Sequence, residues 1–348
     1  MDIKSMYITE LEEWVKEKGY PGFRAGQIFK WLHEKRVSAI EEMSNIPKNI
    51  KQDIQEQGFV FIKEETRQVS AQDGTIKFLF KLQDGQMIES VFMKYNYGNS
   101  ICISSQAGCR MGCKFCASTI GGLVRNLTAS EMLEQVYETM RITGERISNI
   151  VVMGTGEPLD NYDNLVRFIR LISDEKGYNI SQRSITVSSC GIVPRIYDLA
   201  DENLAITFAL SLHAPTDEER KELMPIAHKY SLKETIDACK AYFEKTGRRV
   251  TFEYSLVKGK NDGEEQALKL AKLLYGINCH VNLIPVNPIN ERDFKRSDQS
   301  SIEKFKFILE KKSINGTIRR SVGSDIDAAC GQLRRKHAVN NQEESNEI

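Results

Sequence analysis

The 348-residue sequence has no apolar run long enough to cross a bilayer. Its longest apolar stretch, residues 204–212, falls far short of the roughly 20 residues that a membrane-spanning helix needs, so no membrane contact is expected. An export signal is also lacking, which makes the cytoplasm the expected compartment. The net charge is zero, with 48 basic and 48 acidic residues, so the overall charge does not mark a nucleic-acid binder. The length suggests about two domains of an ordinary globular protein.

Cysteines are clustered in one short loop and are widely spaced elsewhere in the sequence. Three of the eight cysteines stand in the run from Cys109 through Cys113 to Cys116, whose glycine and basic neighbours are typical of a loop. Three thiolates on one loop can hold three corners of a [4Fe-4S] cluster, and the lack of a nearby fourth cysteine would leave one iron open to a small molecule. A zinc site completed by a histidine is an open alternative. Disulfides are not expected of a cytoplasmic chain.

The first 94 residues are expected to form a small accessory module. Apolar residues recur near helical spacing up to about residue 57, and alternating apolar residues then indicate an antiparallel meander over 59–94. The pairs Asp73-Gly74 and Asp84-Gly85 supply the turn signals between its strands.

From residue 95 onward the pattern predicts strands that alternate with helices, which is typical of a parallel sheet. A capping box from Thr128 to Glu131 opens the first of these helices. The predicted strands are 99–105, 148–153, 184–189, 205–212, 249–256 and 279–286, with an extra strand at 316–321. The predicted fold class is therefore α/β, with a partial (β/α)6 barrel over residues 95–335 behind a small domain of helices and antiparallel strands. A polar tail over 336–348 is expected to be disordered.

Small and polar residues gather where the predicted barrel strands end, which is the edge of such a barrel that carries the chemistry. The cysteine loop follows the first strand, and the others are Gly154–Glu157, Ser188, Ser211–His213 and Asn287. Their common placement predicts a binding site at one rim. The glycines among them would let the backbone approach a ligand.

Several runs resemble those of a known family. They are Cys102–Cys109, Met153–Asn161, Ser211–Pro215, Asn282–Pro288 and Gly323–Gln332. With the cysteine loop, they make residues 5–335 similar to the RNA adenine methyltransferases of the radical S-adenosylmethionine (SAM) superfamily. The chain looks most like the dual-specificity members that methylate carbon 2 of adenosine in 23S rRNA and tRNA.

This resemblance implies three catalytic residues and two SAM molecules per turnover. Cys330 would take a methyl group from one SAM as a thioether, and reductive cleavage of a second SAM would activate that methyl group for addition to the base. Glu89 would remove the proton from carbon 2. Cys102 would then attack the Cys330 sulfur, which forms a transient disulfide and releases the methylated base.

The resemblance also implies the cofactor ligands. Cys109, Cys113 and Cys116 would bind the [4Fe-4S] cluster. The residues expected to contact SAM are Gly156, Glu157, Ser188, Ser211, Leu212, His213 and Asn287. Cys190, Cys239 and Cys279 match no catalytic position of the family and are expected in the core.

The implied substrates are 23S rRNA at the peptidyl transferase centre and tRNA at the adenosine 3′ of the anticodon. A flavodoxin-like reductant is the implied electron donor, and a monomer is expected. The N-terminal helices and the basic residues 334–337, which follow Cys330, are the expected RNA-facing surfaces.

Two other functions stay open at this point. Related methyltransferases that act on carbon 8 of adenine and confer antibiotic resistance share the cluster, both reactive cysteines and the fold. A non-catalytic, metal-containing RNA-binding protein would keep the cysteine loop but would need neither Cys102 nor Cys330. Without the resemblance, Cys102 would be taken as an ordinary buried cysteine and Glu89 as a solvent-facing carboxylate.

Overall fold

The computed structural model describes residues 1–286, 294–320, 322–323, 325–326 and 333–334. Three α-helices open the chain, and they are α1 (Ile8–Glu17), α2 (Phe23–Phe29) and α3 (Lys48–Gln57). An antiparallel meander follows, formed by β1 (Lys63–Val69), β2 (Ile76–Lys81) and β3 (Met87–Met93). Both the helices and the meander predicted for this region are present.

The rest of the described chain alternates strands with helices, as predicted. The strands are β4 (Asn99–Cys102), β5 (Gln106–Gly108), β6 (Leu123–Asn126), β7 (Ile147–Val152), β8 (Ile185–Ser189), β9 (Thr207–Ser211), β10 (Val250–Leu256), β11 (Cys279–Pro285) and β12 (Gly316–Ile318). The helices are α4 (Ala129–Thr143), α5 (Tyr162–Ile172), α6 (Val193–Asp201), α7 (Asp217–Leu223), α8 (Leu232–Thr246), α9 (Glu264–Leu273) and α10 (Gln299–Lys311). Among the described residues, none of these helices has the length and apolar content of a membrane span.

Local sequence signals fix the ends of the long helix α4. The Thr128 side chain accepts a hydrogen bond from the Glu131 N–H, and the Glu131 carboxylate accepts one from the Thr128 N–H. This reciprocal pair satisfies two N–H groups that the first turn leaves unpaired, which confirms the predicted capping box. Gly144 ends the helix in the left-handed conformation, with φ at 69°.

Ten strands form one sheet in the order β1-β2-β3-β4-β7-β8-β9-β10-β11-β12. The pairs from β1 to β4 are antiparallel, and every pair from β4 through β7 to β12 is parallel. The parallel part therefore has its strands' carboxyl ends at one rim, which is the condition that the predicted site requires.

The meander and the parallel strands share one sheet and one core. β3 pairs with β4, so that Val91 lies opposite Cys102. Apolar side chains of α1–α3 belong to the same buried cluster as those of the parallel strands. The boundary expected near residue 94 thus falls within a continuous sheet.

The structure differs from the predicted strands mainly around the cysteine loop. β4 ends at Cys102 rather than at residue 105, and β5 pairs with β6 in a separate two-stranded hairpin that the sequence did not predict. Strands of three and four residues are too short to show a periodic pattern. The tail predicted over 336–348 and two predicted site residues, Asn287 and Cys330, lie outside the described residues.

Candidate active site

Loops that follow the parallel strands enclose a cavity at the predicted rim. All three cysteines of the loop line it, and so do five of the seven residues expected to contact SAM. Those five are Gly156, Glu157, Ser188, Ser211 and His213. We call this space the cysteine-loop cavity. The Leu212 side chain instead lies fully buried in the main core, and only its backbone takes part in holding the loop.

The thiols of the loop suit a multi-iron cluster. Cys109 and Cys113 are buried, and burial raises the pKa of Cys109 to about 12 and that of Cys113 further. Buried thiols of this kind lose their protons when they bind a metal. Among the described residues, no three His, Cys, Asp or Glu side chains converge as ligands of a single ion. Three thiols of one loop that line a common cavity fit a [4Fe-4S] cluster, in which each thiolate binds a different iron.

Backbone contacts fix the shape of the cysteine loop. The Cys109 N–H donates to the Gly122 carbonyl at 2.9 Å, and the Lys114 N–H donates to the Leu223 carbonyl at 2.9 Å. Gly108 has φ at +84°, and a Cβ there would lie 2.1 Å from the Gly122 oxygen. Only glycine permits this closure, which ties the loop to the β5–β6 hairpin.

Glu157 is a buried carboxylate held by main-chain donors. One carboxylate oxygen accepts from the Cys190 N–H at 2.8 Å, and the other accepts from the Leu159 N–H at 3.0 Å. Burial raises the pKa of Glu157, and these hydrogen bonds oppose that rise. The side chains of Ser189 and Cys190 also bond to Glu157, so its carboxylate is held by several donors at the wall of the cavity.

The glycines beside Glu157 serve the packing of the chain itself. A Cβ on Gly154 would lie 2.7 Å from the carbonyl carbon of Ile103, and one on Gly156 would lie 2.7 Å from the Gln106 nitrogen. Gly156 also has φ at +115°. Both glycines therefore pack closely on the segment that follows β4, and they also line the cavity, where the approach to a ligand stays a prediction.

His213 is a neutral imidazole with a defined tautomer. Its Nδ1 accepts a hydrogen bond from the Ser255 N–H at 2.9 Å, so the ring proton lies on Nε2. Burial, with a contribution from Arg220, lowers the pKa of His213 to about 3. Its φ of 59° turns the chain sharply after β9, and the Asn261 side chain binds the His213 carbonyl at 2.7 Å.

Two buried charged residues at this site, Glu253 and Arg220, escaped the sequence analysis. The buried carboxylate of Glu253 lines the cavity and accepts from Asn282 Nδ2 at 2.9 Å, and burial raises its pKa against the opposing effect of Arg319. Arg220 is fully buried and donates to the carbonyls of Cys190, Ser211 and Leu212, so it joins the loops after β8 and β9. An arginine in the charged helix α7 gives no sequence signal of burial.

The second predicted centre lies on one face of the strands β2, β3 and β4, which we call the β2–β4 face. Glu89 lies opposite Leu79, and Cys102 lies opposite Val91, which is two residues from Glu89. Glu89 and Cys102 are therefore diagonal neighbours on the same face. Glu89 is only 4% exposed, so the solvent-facing position expected without the family resemblance is wrong.

Two contacts join the β2–β4 face to the cysteine-loop cavity. Cys102 packs in a small apolar cluster with Met153, and Met153 also lines the cavity. Ser104 Oγ donates to the Glu89 carbonyl at 2.7 Å and accepts from the Thr155 N–H at 3.0 Å. The two centres are therefore adjacent parts of one site.

The described parts of the C-terminal segment contact the β2–β4 face and the β1–β2 turn. The Gly323 N–H donates to Asp73 at 2.9 Å, and the Asp325 carboxylate accepts from Ser70 Oγ at 2.6 Å. Val322 packs in the Cys102 cluster. The Arg334 N–H donates to Glu89 Oε1 at 2.7 Å. The described residues contain no disulfide, and the predicted pairing of Cys102 with Cys330 involves a residue outside them.

Comparison with known proteins gives concordant similarities. A profile of the Radical SAM superfamily matches residues 103–271, and one of the ribosomal RNA large subunit methyltransferase N-terminal domain matches residues 1–60. A probable dual-specificity RNA methyltransferase RlmN from Lachnoclostridium phytofermentans is 58% identical over 97% of this chain and 95% of its own length. Its counterpart from Clostridium novyi is 53% identical over 98% and 99%. The crystal structure of a radical SAM methyltransferase from Sphaerobacter thermophilus is 43% identical, with a TM-score of 0.91 over 95% of this chain and 98% of that one.

Proposed function

This chain belongs to the RlmN family of radical SAM methyltransferases, and from that premise we propose that it methylates carbon 2 of adenosine in 23S rRNA and in tRNA. The predicted radical SAM fold is confirmed by the full-length structural similarity. The proposed targets are the peptidyl transferase centre and the adenosine 3′ of the anticodon. The proposed setting is the cytoplasm, with a monomeric enzyme and a flavodoxin-like reductant.

One observation carries the proposal most directly. Glu89 and Cys102, the residues assigned as base and as resolving cysteine, share one face, and the C-terminal segment contacts both. Val322 packs beside Cys102 eight residues before Cys330, and Arg334 binds Glu89 four residues after it. The chain on each side of Cys330 is thus anchored beside one of its two proposed partners. A protein that only bound RNA would have no need of this arrangement.

The cysteine-loop cavity would hold the cofactors. Cys109, Cys113 and Cys116 would bind the [4Fe-4S] cluster, and SAM would contact Gly156, Glu157, Ser188, Ser211 and His213. When bound, the cluster and SAM supply the one-electron chemistry that activates a methyl group. The neutral His213 offers an N–H donor there, and Glu157 offers acceptor oxygens for the SAM ammonium group.

The chain's own groups divide three tasks in the proposed reaction. Cys330 carries the methyl group as a thioether, taken from a first SAM. The radical chemistry that bound SAM and the cluster supply would take one hydrogen atom from this methyl group and, after its carbon has bonded to carbon 2, one electron from the ring. Glu89 then removes the proton from carbon 2, and the electron pair of that C–H bond stays with the ring. The Cys102 thiolate then attacks the Cys330 sulfur, so that one S–S bond forms and one C–S bond breaks. The freed carbon keeps the electrons of the C–S bond and takes a proton to become the methyl group.

The RNA must present an adenine whose edge is accessible. An enzyme that acts on a base reaches it only in a single strand or after flipping it out of the stack. The module of residues 1–94 is the proposed RNA-facing domain, ahead of the barrel and its catalytic segment over 95–335. The RlmN N-terminal profile, which covers residues 1–60, supports that assignment.

Nucleoside mass spectrometry tests the proposal. A bacterial host that lacks adenine-C2 methylation would express either this chain or its Cys330→Ala variant, and rRNA and tRNA would be digested separately. We expect 2-methyladenosine in both RNA fractions with the unmodified chain and in neither with the variant. A Cys239→Ala variant, which changes a core cysteine, serves as the matched control and should retain the product.

Other outcomes would redirect the assignment. Formation of 8-methyladenosine would move the chain to the carbon-8 methyltransferases. Product in one RNA fraction alone would narrow the substrate. A purified protein with its full iron and sulfide content that neither cleaves SAM under reducing conditions nor modifies RNA would favour the non-catalytic RNA-binding protein.

A further inference from the structure

A buried ion pair lies at the centre of the β2–β4 face. Lys77 Nζ is 3.0 Å from Glu89 Oε2, and the two side chains are 0% and 4% exposed. Lys77 comes from β2, where it alternates with the core residues Phe78 and Phe80. A lysine in such a strand would ordinarily face water, so its burial against Glu89 needs a reason beyond the strand pattern.

Stability alone is a weak reason to keep this pair. Desolvation of two buried charges costs about as much as their attraction returns, and apolar replacements of such pairs are often neutral or stabilising. The chain has another buried pair, Lys4 with Glu134, whose lysine also donates to the Val60 carbonyl and whose carboxylate also pairs with Arg141. That pair joins the first residues of the chain to helix α4. The Lys77 pair links adjacent strands that already share a full hydrogen-bond ladder.

We propose that Lys77 is a positioning residue that holds the Glu89 carboxylate in the orientation needed to accept the proton from carbon 2 of the adenine. The inference rests on the proposed function and deepens it at the same site. Lys77 holds Oε2, and the Arg334 N–H holds Oε1, so both oxygens have a fixed direction. An ammonium group beside a buried carboxylate oxygen offsets the cost of burying the negative charge that a base needs.

The step that Lys77 supports moves a proton only. The C–H bond at carbon 2 breaks, its electron pair stays with the ring, and the proton goes to a Glu89 oxygen. Lys77 remains an ammonium group before and after the step. The loss of its attraction to Glu89 on protonation favours return of that proton to solvent. Within the part of the chain that the structure describes, the titratable groups beside Glu89 are Lys77 on β2 and Cys102 on β4, and the Arg334 main chain reaches it from the C-terminal segment.

Three variants separate charge from packing. Lys77→Gln keeps a hydrogen-bond donor but removes the charge, Lys77→Arg keeps the charge, and Lys81→Met changes an exposed lysine of the same strand as the control. Glu89→Gln is made in parallel. Each purified enzyme with its cluster is assayed from pH 6 to 9 for 2-methyladenosine formation on an RNA hairpin. SAM cleavage, the methyl group on Cys330 and covalent protein–RNA adduct are measured in the same samples by mass spectrometry and gel shift.

We expect Lys77→Gln to lower 2-methyladenosine formation about 100-fold near pH 7, the low end of what a positioned base supplies. Because Lys77→Gln removes the positive charge 3.0 Å from the carboxylate, the acid limb of kcat/KM should move to higher pH by at least about one unit. Methylation of Cys330 should persist and the RNA adduct should accumulate, as with Glu89→Gln. Lys77→Arg should keep the acid limb in place, and Lys81→Met should match the unmodified enzyme.

The outcomes separate this inference from the function on which it rests. An acid limb that stays in place in Lys77→Gln, with Glu89→Gln inactive, would overturn the role of Lys77 and leave the base assignment intact. Full activity of Glu89→Gln would overturn both. Absence of 2-methyladenosine from the unmodified enzyme would instead overturn the proposed function. If Lys77→Gln does not fold, the pH profile of Lys77→Arg tests the proposal instead. This variant keeps the positive charge, so a displaced acid limb of kcat/KM would overturn the proposal.

Discussion

The cysteine-loop cavity and the β2–β4 face adjoin each other, yet they hold their polar groups in opposite ways. In the cavity, the main-chain N–H groups of Leu159 and Cys190 hold Glu157, and that of Ser255 on β10 holds His213. On the β2–β4 face, a side-chain cation and a main-chain N–H from 245 positions along the chain hold Glu89. The cavity is completed by the barrel loops, whereas the face is completed only when the C-terminal segment covers it.

The cysteine-loop cavity suits the general task of binding a cluster and SAM, whereas the β2–β4 face suits the particular methyl transfer that is proposed. A cavity built from barrel loops can bind a cluster and SAM whatever the substrate is, and such sites recur on one fold with many substrates. The β2–β4 face adds a base, a cysteine and a covering segment, which the proposed methyl transfer requires. Changes in the two regions should therefore stop the reaction at different stages.

The largest effects are expected from replacing Cys113 in the cysteine-loop cavity and Cys102 on the β2–β4 face. Cys113→Ala should lose most of the bound iron and all SAM cleavage, because a cluster bound by two thiolates is poorly held. Cys102→Ala should keep iron and SAM cleavage but trap the RNA on the protein. Iron content, 5′-deoxyadenosine release and the RNA adduct would be measured together. Loss of iron from Cys102→Ala would mean that the two regions are not separable.

Removal of the arginine behind the cavity should be the next largest effect. Arg220→Met leaves three carbonyls without their donor, so the free energy of unfolding should fall by about 3 kcal/mol, at a cost of about 1 kcal/mol for each lost hydrogen bond. Urea denaturation would measure it. Arg183→Met, at an exposed arginine, is the matched control and should change stability by less than about 0.5 kcal/mol. An equal loss of stability in Arg220→Met and Arg183→Met would contradict the role of Arg220 in joining the two loops.

A glycine pair tests how closely the loop after β7, which lines the cavity, packs against β5. Gly156→Ala combines a positive φ with a Cβ 2.7 Å from the Gln106 nitrogen and should cost about 2–4 kcal/mol. Gly247→Ala shares the positive φ in open space and should cost about 1 kcal/mol. Urea denaturation of both variants isolates the contribution of the contact. Similar losses of stability in the two variants would show that the positive φ of Gly156, and not its contact with Gln106, determines the cost.

The smallest effect concerns the contact between Asp73 in the β1–β2 turn and Gly323 in the C-terminal segment. Partial burial would raise the pKa of Asp73, but hydrogen bonds led by the Gly323 N–H hold it at about 2. Because this folded pKa lies below the usual 3.8, its stabilising contribution is present above pH 3.8 and is lost as the pH falls through 2. Asp73→Asn should therefore be slightly less stable than the unmodified chain at pH 7, and the difference should vanish near pH 2. Urea titrations across that range would measure it, and a difference that persists at pH 2 would contradict it.

The sequence predicted the parallel part of the fold well, because each buried strand is bounded by polar or glycine-containing turns. The observed bounds of β7, β8, β10 and β11 lie within one residue of the predicted ones. The rim location of the cysteine loop, Glu157 and His213 follows from the same pattern, since each group comes directly after a strand. Strands and the polar residues that directly follow them can be predicted because the residues involved are close together in the sequence.

The contacts that build the β2–β4 face could not be predicted. The pairing of β3 with β4 spans a boundary where the sequence changes character, and only strand register places Glu89 beside Cys102. Lys77 and Arg220 carry charges that the sequence pattern assigns to solvent, yet both are buried by partners on neighbouring strands and loops. Such partners leave no periodic trace in the sequence.

The separation between the β1–β2 turn and its C-terminal partner has a consequence for synthesis of the protein. Asp73 and Gly323 lie 250 positions apart, which at about 5–20 residues per second corresponds to about 12–50 s of translation. During that interval the nascent β2–β3 hairpin carries its ionisable groups without their cover. An ion pair formed between adjacent strands is available at once, so Lys77 and Glu89 can neutralise each other on the ribosome before the reactive cysteine segment has been made.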